Sequence, residues 1–181
     1  MDAQREATPQ ELIRYSIGNS TLDRVLVAQS AIGVCAILLG DNDEALTAEL
    51  HRTFPSARIE LAAEVLPLVE RVATLVDMPG KSIDFPLDVR GNAFEKLVWN
   101  ALKEIEPGHT AAYGEIARKI GDPRVSREVA EACASNPLAV AIPCHRVIKK
   151  DGALSGYRWG FKRKRALLKR EAELYPDDRL I

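Results

Sequence analysis

Turn-forming residues divide the second half of this 181-residue chain into short helical segments, and one of those divisions constrains the fold more than any other feature. Gly121-Asp122-Pro123 reads as a tight turn. A short helix over about 112–120 precedes it, and a second over about 124–134 follows. Two short helices joined by a three-residue turn containing Gly have the spacing of a helix-turn-helix. Pro107-Gly108 stops an earlier helix, which Asn92 can cap and whose apolar face carries Phe94, Leu97, Val98, Ala101 and Leu102. Asn136-Pro137 ends the second short helix, because the residue before a proline avoids the α region. After an Asp151-Gly152 turn, a last helix over about 162–174 carries Leu167, Leu168 and Glu171.

The first half has a different rhythm. Val25-Leu26-Val27, a Ser30-Ala31-Ile32-Gly33 turn and the run Val34 to Leu39 predict a β-hairpin. Residues 43–52 predict a helix. Glu60 to Val76 repeats apolar residues at helical spacing, with Pro67 as a kink or break. Ile83 to Val89 alternates like a strand, and Pro86 suits an edge. The expected architecture is an α/β N-terminal unit with a short antiparallel sheet, residues 1–90, followed by an α-helical domain with a helix-turn-helix, residues 91–181.

Composition excludes several classes. At 46% hydrophobic and 28% charged the chain reads as globular. Apolar runs such as Val34 to Leu39 are too short to cross a bilayer. The start Met1-Asp2-Ala3-Gln4-Arg5-Glu6 lacks the apolar stretch of a signal peptide, so a cytoplasmic location is expected. Cys35, Cys133 and Cys144 are an odd number at wide spacing, which suits neither a disulfide framework nor a zinc site. His51, His109 and His145 also lack ligand spacing, so no metal is expected. The net charge of −1 argues against a polyanionic partner, but basic residues crowd between Gly108 and Arg170. That asymmetry points to a polyanion-binding face. For the run Lys162 to Arg165 a solvated helix surface is the alternative.

The chemistry centres on Ala141-Ile142-Pro143-Cys144-His145-Arg146-Val147. The thiolate is the nucleophilic form of cysteine, and His145 is the nearest candidate base. Adjacent side chains in an extended segment point to opposite faces, so a water-bridged contact is expected over a direct one. A carboxylate elsewhere could orient the imidazole. A buried structural cysteine beside a hydrogen-bonded histidine is the plain alternative.

Pro143-Cys144-His145-Arg146-Val147 resembles the active-site signature of the O6-alkylguanine-DNA alkyltransferases. Tyr113, Arg127, Asn136-Pro137, Gly156-Tyr157-Arg158-Trp159-Gly160 and Glu171 stand around it at the spacing of that family. Arg24 to Val27 and Cys35 to Gly40 resemble the C-terminal half of the bacterial Ada proteins, so the likeness spans nearly the whole chain. The resemblance implies direct, stoichiometric transfer of the alkyl group from O6-methylguanine, and from O4-methylthymine, in double-stranded DNA to Cys144. It implies no cofactor and a monomer. Cys144 would be the acceptor, His145 the water-linked base and Glu171 the carboxylate that orients it. Asn136 would tie the active-site loop to the recognition helix, with a simple helix C-cap as the alternative. Tyr113 would protonate N3 of the leaving guanine or rotate the phosphate. Arg127 would fill the space of the extruded base, with Ser126, Arg124 and Tyr113 also at the DNA. Tyr157, Arg158, Trp159 and Pro143 would form the base pocket.

Two departures from the family pattern carry expectations of their own. Glu128 stands where a small residue is usual and should weaken DNA binding; it should also pair with Arg124. Trp159 replaces the glycine of some relatives and should narrow the pocket toward small alkyl groups. The chain lacks the zinc domain and regulator helices of full-length Ada, which makes a stand-alone repair protein the expectation. The alternative is a lesion-binding protein of the alkyltransferase-like class. Those relatives replace the cysteine, and Cys144 is present.

Overall fold

A computed structural model of the chain describes residues 10–176. Its first layer is a sheet of β1 (Leu12–Ser20), β2 (Asp23–Gln29), β3 (Val34–Gly40) and β4 (Arg58–Leu61), in the order β3-β2-β1-β4. β2 and β3 form the hairpin expected from the apolar runs. β1 pairs antiparallel with β2, but β4 runs parallel to β1, so the sheet is mixed and not purely antiparallel. Between β3 and β4 lies α1 (Asp43–Thr53), whose N-terminus is capped by Asn42 through Ala45 N–H at 2.9 Å. α2 (Leu66–Asp77) covers β1 and β2 with Val69, Val72, Leu75 and Val76.

Residues 60–76 do not form the single helix that their apolar spacing predicts. Glu60 and Leu61 belong to β4, a short helical turn spans Ala63–Val65, and α2 begins at Leu66. Pro67 therefore stands in the first turn and not in the middle. There its missing N–H removes no helical hydrogen bond and its fixed φ favours the helix start. Residues 83–89 form no regular strand, yet they do lie at the sheet edge. Val34 N–H donates to Pro86 O at 2.9 Å, and Asp88 N–H donates to Val34 O at 2.8 Å.

Further along the same outer edge, Ile37 N–H donates to Pro137 O at 2.8 Å and Ile37 O accepts from Ala139 N–H at 3.0 Å. β3 is thus covered at its open edge by two pieces of chain, one of which leads to the active-site loop. Covering an edge in this way satisfies its backbone groups and blocks pairing with other chains. Val34 to Leu39 are all buried with no alternation, as in a strand covered on both faces.

The second half contains α3 (Ala93–Lys103), β5 (Ala111–Ala112), α4 (Tyr113–Lys119), α5 (Ser126–Ser135), β6 (Val147–Ile148) and α6 (Phe161–Leu174). Asn92 caps α3 in a reciprocal box, accepting from Glu95 N–H at 2.8 Å while Glu95 Oε2 accepts from Asn92 N–H at 2.9 Å. The buried face of α3 is Val98, Trp99, Ala101 and Leu102; Leu97, read from the sequence as core, is half exposed. Trp99 takes the inward position because its Nε1–H reaches Ala132 O of α5 at 2.8 Å. α4 and α5 are the helix-turn-helix, and Gly121 between them has φ 101°, a value that favours glycine. A single apolar cluster runs from Ile13 through β3 to Val98, Val129, Leu138 and Ile142, so sheet and helices share one core.

Gly33 lies directly against the backbone of the edge segment. A Cβ there would lie 2.6 Å from Pro86 O and 2.8 Å from Pro86 C, both backbone atoms. Gly33→Ala is expected to lower the unfolding free energy by about 1–3 kcal/mol through overpacking, read by urea denaturation. An unchanged midpoint would show that residues 83–89 yield freely.

Candidate active site

The loop from Asn136 to Arg146 is built from small turns that aim Cys144 inward. Val140 has φ 59°, rare for a β-branched residue, and Ala141 N–H bonds Ala139 O at 2.6 Å across it. Pro143 has φ −82° and ψ 59°, with Cys144 N–H on Ile142 O at 2.8 Å. This is an inverse γ-turn, which the proline ring pre-sets. Cys144 to Arg146 then form one 3-10 turn, so Cys144 and His145 leave the backbone in different directions.

Asn136, fully buried at the end of α5, binds this loop together. Its Nδ2–H group donates to Cys144 Sγ at 2.6 Å and to Ile142 O at 3.1 Å, while its Oδ1 accepts from Leu138 N–H at 2.8 Å. Cys144 Sγ also contacts Ile142 O at 3.5 Å, as a thiol donor does. Burial pushes the Cys144 thiol up to about 11, and the Asn136 amide offsets only part of that. The thiol is therefore neutral at rest.

Behind it lies a buried ionic group. His145 Nε2 meets Glu171 Oε1 at 2.7 Å, and Arg146 Nε and Nη2 donate to the same carboxylate at 2.9 and 2.8 Å. Gly108 N–H adds a contact to Glu171 Oε2 at 3.2 Å, and Arg146 Nη1 donates to Ile105 O at 2.6 Å. Burial alone would raise the Glu171 carboxyl, but the bonds from His145 and Arg146 outweigh it and hold the group down at about 2. An ionised carboxylate only accepts, so His145 Nε2 carries the proton of that bond. Burial lowers the His145 pKa despite the opposing pull of Glu171, so at neutral pH the ring is uncharged. Nδ1 is then the basic nitrogen. It is buried and has no hydrogen-bond partner among the described residues.

A cavity of about 540 Å³ opens on Cys144. Ala130, Cys133 and Ala134 of α5 form one wall, Ser155, Gly156, Tyr157 and Arg158 the other, and Tyr113 and Lys149 the rim. Beside it a second depression is lined by Tyr113, Gly114, Arg118, Ser126, Lys149 and Lys150, with Glu115 as its one carboxylate, at the N-termini of α4 and α5. Helix N-termini and these cations give that surface a positive field.

The match with known proteins agrees with this geometry. Residues 93–173 fit the family model of the 6-O-methylguanine DNA methyltransferase, DNA binding domain. Over 162 residues the chain is 48% identical to the bifunctional transcriptional activator/DNA repair enzyme Ada of Escherichia coli, covering 89% of this chain and 46% of that protein. Over 91 residues it is 53% identical to the methylated-DNA–protein-cysteine methyltransferase of Methanosarcina acetivorans, covering 50% of this chain and 58% of that one. The crystal structure of Mycobacterium tuberculosis OGT in complex with DNA aligns with TM-score 0.73 at 32% identity, over 91% of this chain and 96% of that chain.

The chain belongs to the 6-O-methylguanine DNA methyltransferase family. It spans about half the length of the curated relatives it matches.

Seen as a member of this methyltransferase family, the chain brings together Cys144, Asn136, His145, Glu171 and Tyr113 around one cavity and its backing. Tyr157 and Arg158 line the cavity, but Trp159 and Pro143 do not. Trp159 is buried below it, edge-on to Tyr157 at 5.2 Å and under the Arg158 guanidinium at 5.6 Å. Trp159 therefore shapes the cavity by supporting Tyr157 and Arg158, and not by narrowing it directly. Pro143 faces a different depression, on the side of Ile105 and Pro107. Arg127, Arg124 and Glu128 are exposed on or just before α5. Arg124 pairs with Asp122 at 2.9 Å, not with Glu128, because it precedes the helix and the i,i+4 geometry never forms. Arg127 pairs with Glu131 at 3.2 Å. Sequence reasoning assigned no part to Arg146, Ser155 or Lys164, although Arg146 stands inside the motif.

Glu171 sets a pH prediction. Its carboxyl sits at about 2 in the folded chain against an ordinary 4.5, so its contribution is present above about 4.5 and is lost as pH falls through about 2. The difference corresponds to about 3 kcal/mol. Glu171→Gln is expected to lower stability at pH 7 by about 3–5 kcal/mol, since Arg146 stays buried and unpaired. Its acid destabilisation below pH 4.5 should also be shallower than that of the parent protein. Denaturant unfolding at a series of pH values checks both; parallel acid limbs would refute the assignment.

Proposed function

We propose that this chain repairs alkylated DNA by moving the alkyl group from O6-methylguanine, and from O4-methylthymine, onto Cys144. One observation carries the reading. A buried thiol lies at the base of a cavity walled by the second helix of a helix-turn-helix, with a neutral imidazole and an ionised carboxylate behind it. The base must leave the stack to reach that sulfur, which suits an extruded nucleotide entering the cavity. Arg127 occupies the exposed start of α5, where it can fill the gap left in the duplex. Tyr113, Ser126, Lys149 and Lys150 line the depression beside the cavity, and with the exposed Arg124 they would contact the strand.

The chemistry follows from the contacts. His145 Nδ1 takes the Cys144 proton through one water, and the Nε2–H bond to Glu171 stabilises the imidazolium that results. The amide of Asn136 donates to the sulfur as it becomes a thiolate. The sulfur attacks the methyl carbon, the C–O6 bond breaks, and its electron pair moves onto the purine. Tyr113 gives a proton to N3 of the leaving guanine. The product is a thioether, which water does not cleave at neutral pH, so each molecule acts once. No cofactor is required, because the damaged base supplies the group transferred. We divide the chain at about residue 90 into an N-terminal α/β unit and a DNA-binding and active-site domain. We take it to act as a monomer and to reside in the cytoplasm, where its three free cysteines would stay reduced.

The test is an intact-mass measurement after incubation with duplex carrying O6-methylguanine. Cys144 should gain one methylene equivalent. Cys144→Ala should gain nothing and still bind the lesion. Binding by the parent protein with no mass gain would favour a lesion-binding role, and label on Cys35 or Cys133 would refute Cys144 as sole acceptor.

A further inference from the structure

The cavity over Cys144 and the second depression beside it meet along one lip, and two residues line both: Tyr113 and Lys149. Their adjacency follows from the small parallel ribbon of β5 and β6. Ala112 pairs with Ile148, so the chain leaves the ribbon at Tyr113 on one strand and at Lys149 on the other. Neighbouring strands lie ~4.8 Å apart, which starts the two residues side by side. A turn holds Lys149 from its other side. Lys149 N–H donates to Ala153 O at 3.0 Å, and Gly152 N–H donates to Lys149 O at 2.9 Å. The backbone of Lys149 is thus pinned while its side chain is exposed.

Its charge is the available one at this lip. Among the described residues Lys149 makes no ion pair. The other cation of the cavity, Arg158, is taken up by Glu49 at 2.9 Å and by Ser135 O and Asn136 O at 3.0 Å each. The two arginines of the recognition segment are neutralised by their own neighbours, Arg124 by Asp122 at 2.9 Å and Arg127 by Glu131 at 3.2 Å. Arg118 and Lys150 line the second depression alone and not the cavity. No carboxylate lines the cavity, and Glu115 in the second depression is turned back to Ala112 N–H at 2.5 Å. One unpaired ammonium therefore stands where the two hollows join.

A nucleotide with its base in the cavity has its sugar at the mouth and its phosphodiester at the lip. We propose that Lys149 anchors the phosphate of the extruded nucleotide and so holds the base-out state during transfer. This rests on the reading of the cavity as the seat of an extruded base given above. An ammonium is a compact charge with three donors on a flexible stem, which suits a phosphate that moves as the nucleotide swings out. The task differs from general contact with the strand. Only in the base-out state does a phosphate reach the junction of the two hollows, so the charge of Lys149 favours that state over the stacked duplex. Its loss lowers the rate of transfer in the bound complex, and not the affinity for DNA alone.

Single-turnover methyl transfer by the full chain, read by intact mass, tests the anchor with two methyl donors. One is duplex carrying O6-methylguanine; the other is the free base O6-methylguanine, which has no phosphate. In Lys149→Gln the rate at saturating duplex should fall about ten-fold, the scale of one charge-assisted hydrogen bond to phosphate. The rate with the free base should stay within about two-fold of the parent rate. Lys149→Arg keeps the charge and should recover most of the duplex rate. The fall of log affinity with log salt should also be shallower by about 0.9 in Lys149→Gln, the share of one phosphate contact. Equal losses on duplex and free base would show that Lys149 acts on the cavity itself and would overturn the anchor. A weaker duplex affinity with a parent-like saturated rate would make Lys149 an ordinary backbone contact and overturn it as well. Should the parent not react with the free base, the saturated duplex rate and its recovery in Lys149→Arg decide. No transfer from duplex to the parent chain would instead overturn the repair reading on which the anchor rests.

Discussion

The buried carboxylate of Glu171 holds the structure of this site together. It receives His145, Arg146 and the Gly108 backbone at once, and so ties α6, the Cys144–Arg146 turn and the end of the α3–β5 loop to one point. Coulombic attraction in such a place is large, but so is the cost of removing three polar groups from water. What makes the arrangement stable is that the carboxylate is fully bonded. What it gives in return is geometry. With Glu171 fixed as an acceptor, His145 has one permitted neutral tautomer, and the imidazole edge turned away from Glu171 is the basic one. A glutamine would offer a mixture of donor and acceptor to the same partners and would fix neither.

The N-terminal unit is part of the same mechanical arrangement, although it contributes no reacting atom. Its strand β3 holds Pro137 and Ala139 by backbone bonds, immediately after Asn136. Its helix α1 supplies Glu49 to Arg158 at 2.9 Å, and Arg158 Nη1 donates to the terminal carbonyls of α5, Ser135 O and Asn136 O, each at 3.0 Å. Arg163, from the start of α6, reaches Asp23 at 2.9 Å and Asp41 at 2.5 Å. The strap of residues 155–160 that walls the cavity is thus gripped on both flanks by the sheet and its loops. These ion pairs are only partly exposed, and each singly adds modestly to stability. Here their effect is positional, since they hold the strap at a set distance from α5 and with it the width of the cavity.

Punctuation by proline and glycine acts locally, which is why the helix-turn-helix, the α3 cap and the ends of α5 were legible in the residues alone. The strands that depend on distant partners were not. β1 mixes Arg14, Ser16, Gly18 and Asn19 among its apolar residues, and β4 is four residues long and pairs in parallel across more than forty positions, so neither announces itself. The meeting of the Cys144–His145 turn with Glu171 was legible through the family motif, since their spacing encodes the contact of turn and helix. The charged residues were the blind spot. Lys162 to Arg165 read as one basic run, yet in the fold Lys162 and Arg165 face solvent, Arg163 binds the sheet, and Lys164 is sealed inside. Helical rotation of about 100° per residue separates these environments, and nothing in the run itself says which of the four turns inward.

Burial favours the uncharged form of each ionisable group at the candidate site, and for the proposed transfer these effects reconcile a reactive centre with a quiet resting state. It raises the thiol of Cys144, so the form exposed to oxidants and stray electrophiles is the less reactive one. It lowers His145, so a base is already uncharged and waiting. Glu171 stays ionised only because Arg146 and His145 outweigh the same burial, and that negative charge is available when a proton reaches the imidazole. A thiol near 11 and an imidazole below 6.5 do not exchange a proton spontaneously to any useful extent. The exchange becomes favourable only when a carbon electrophile is in contact with the sulfur and drains its electron pair. Proton removal and attack are therefore coupled, and the centre is selective for a group held in the cavity over one that collides with the surface. Under the proposed reaction, this is the physical reason why a nucleophile that is used once can be kept safe until then.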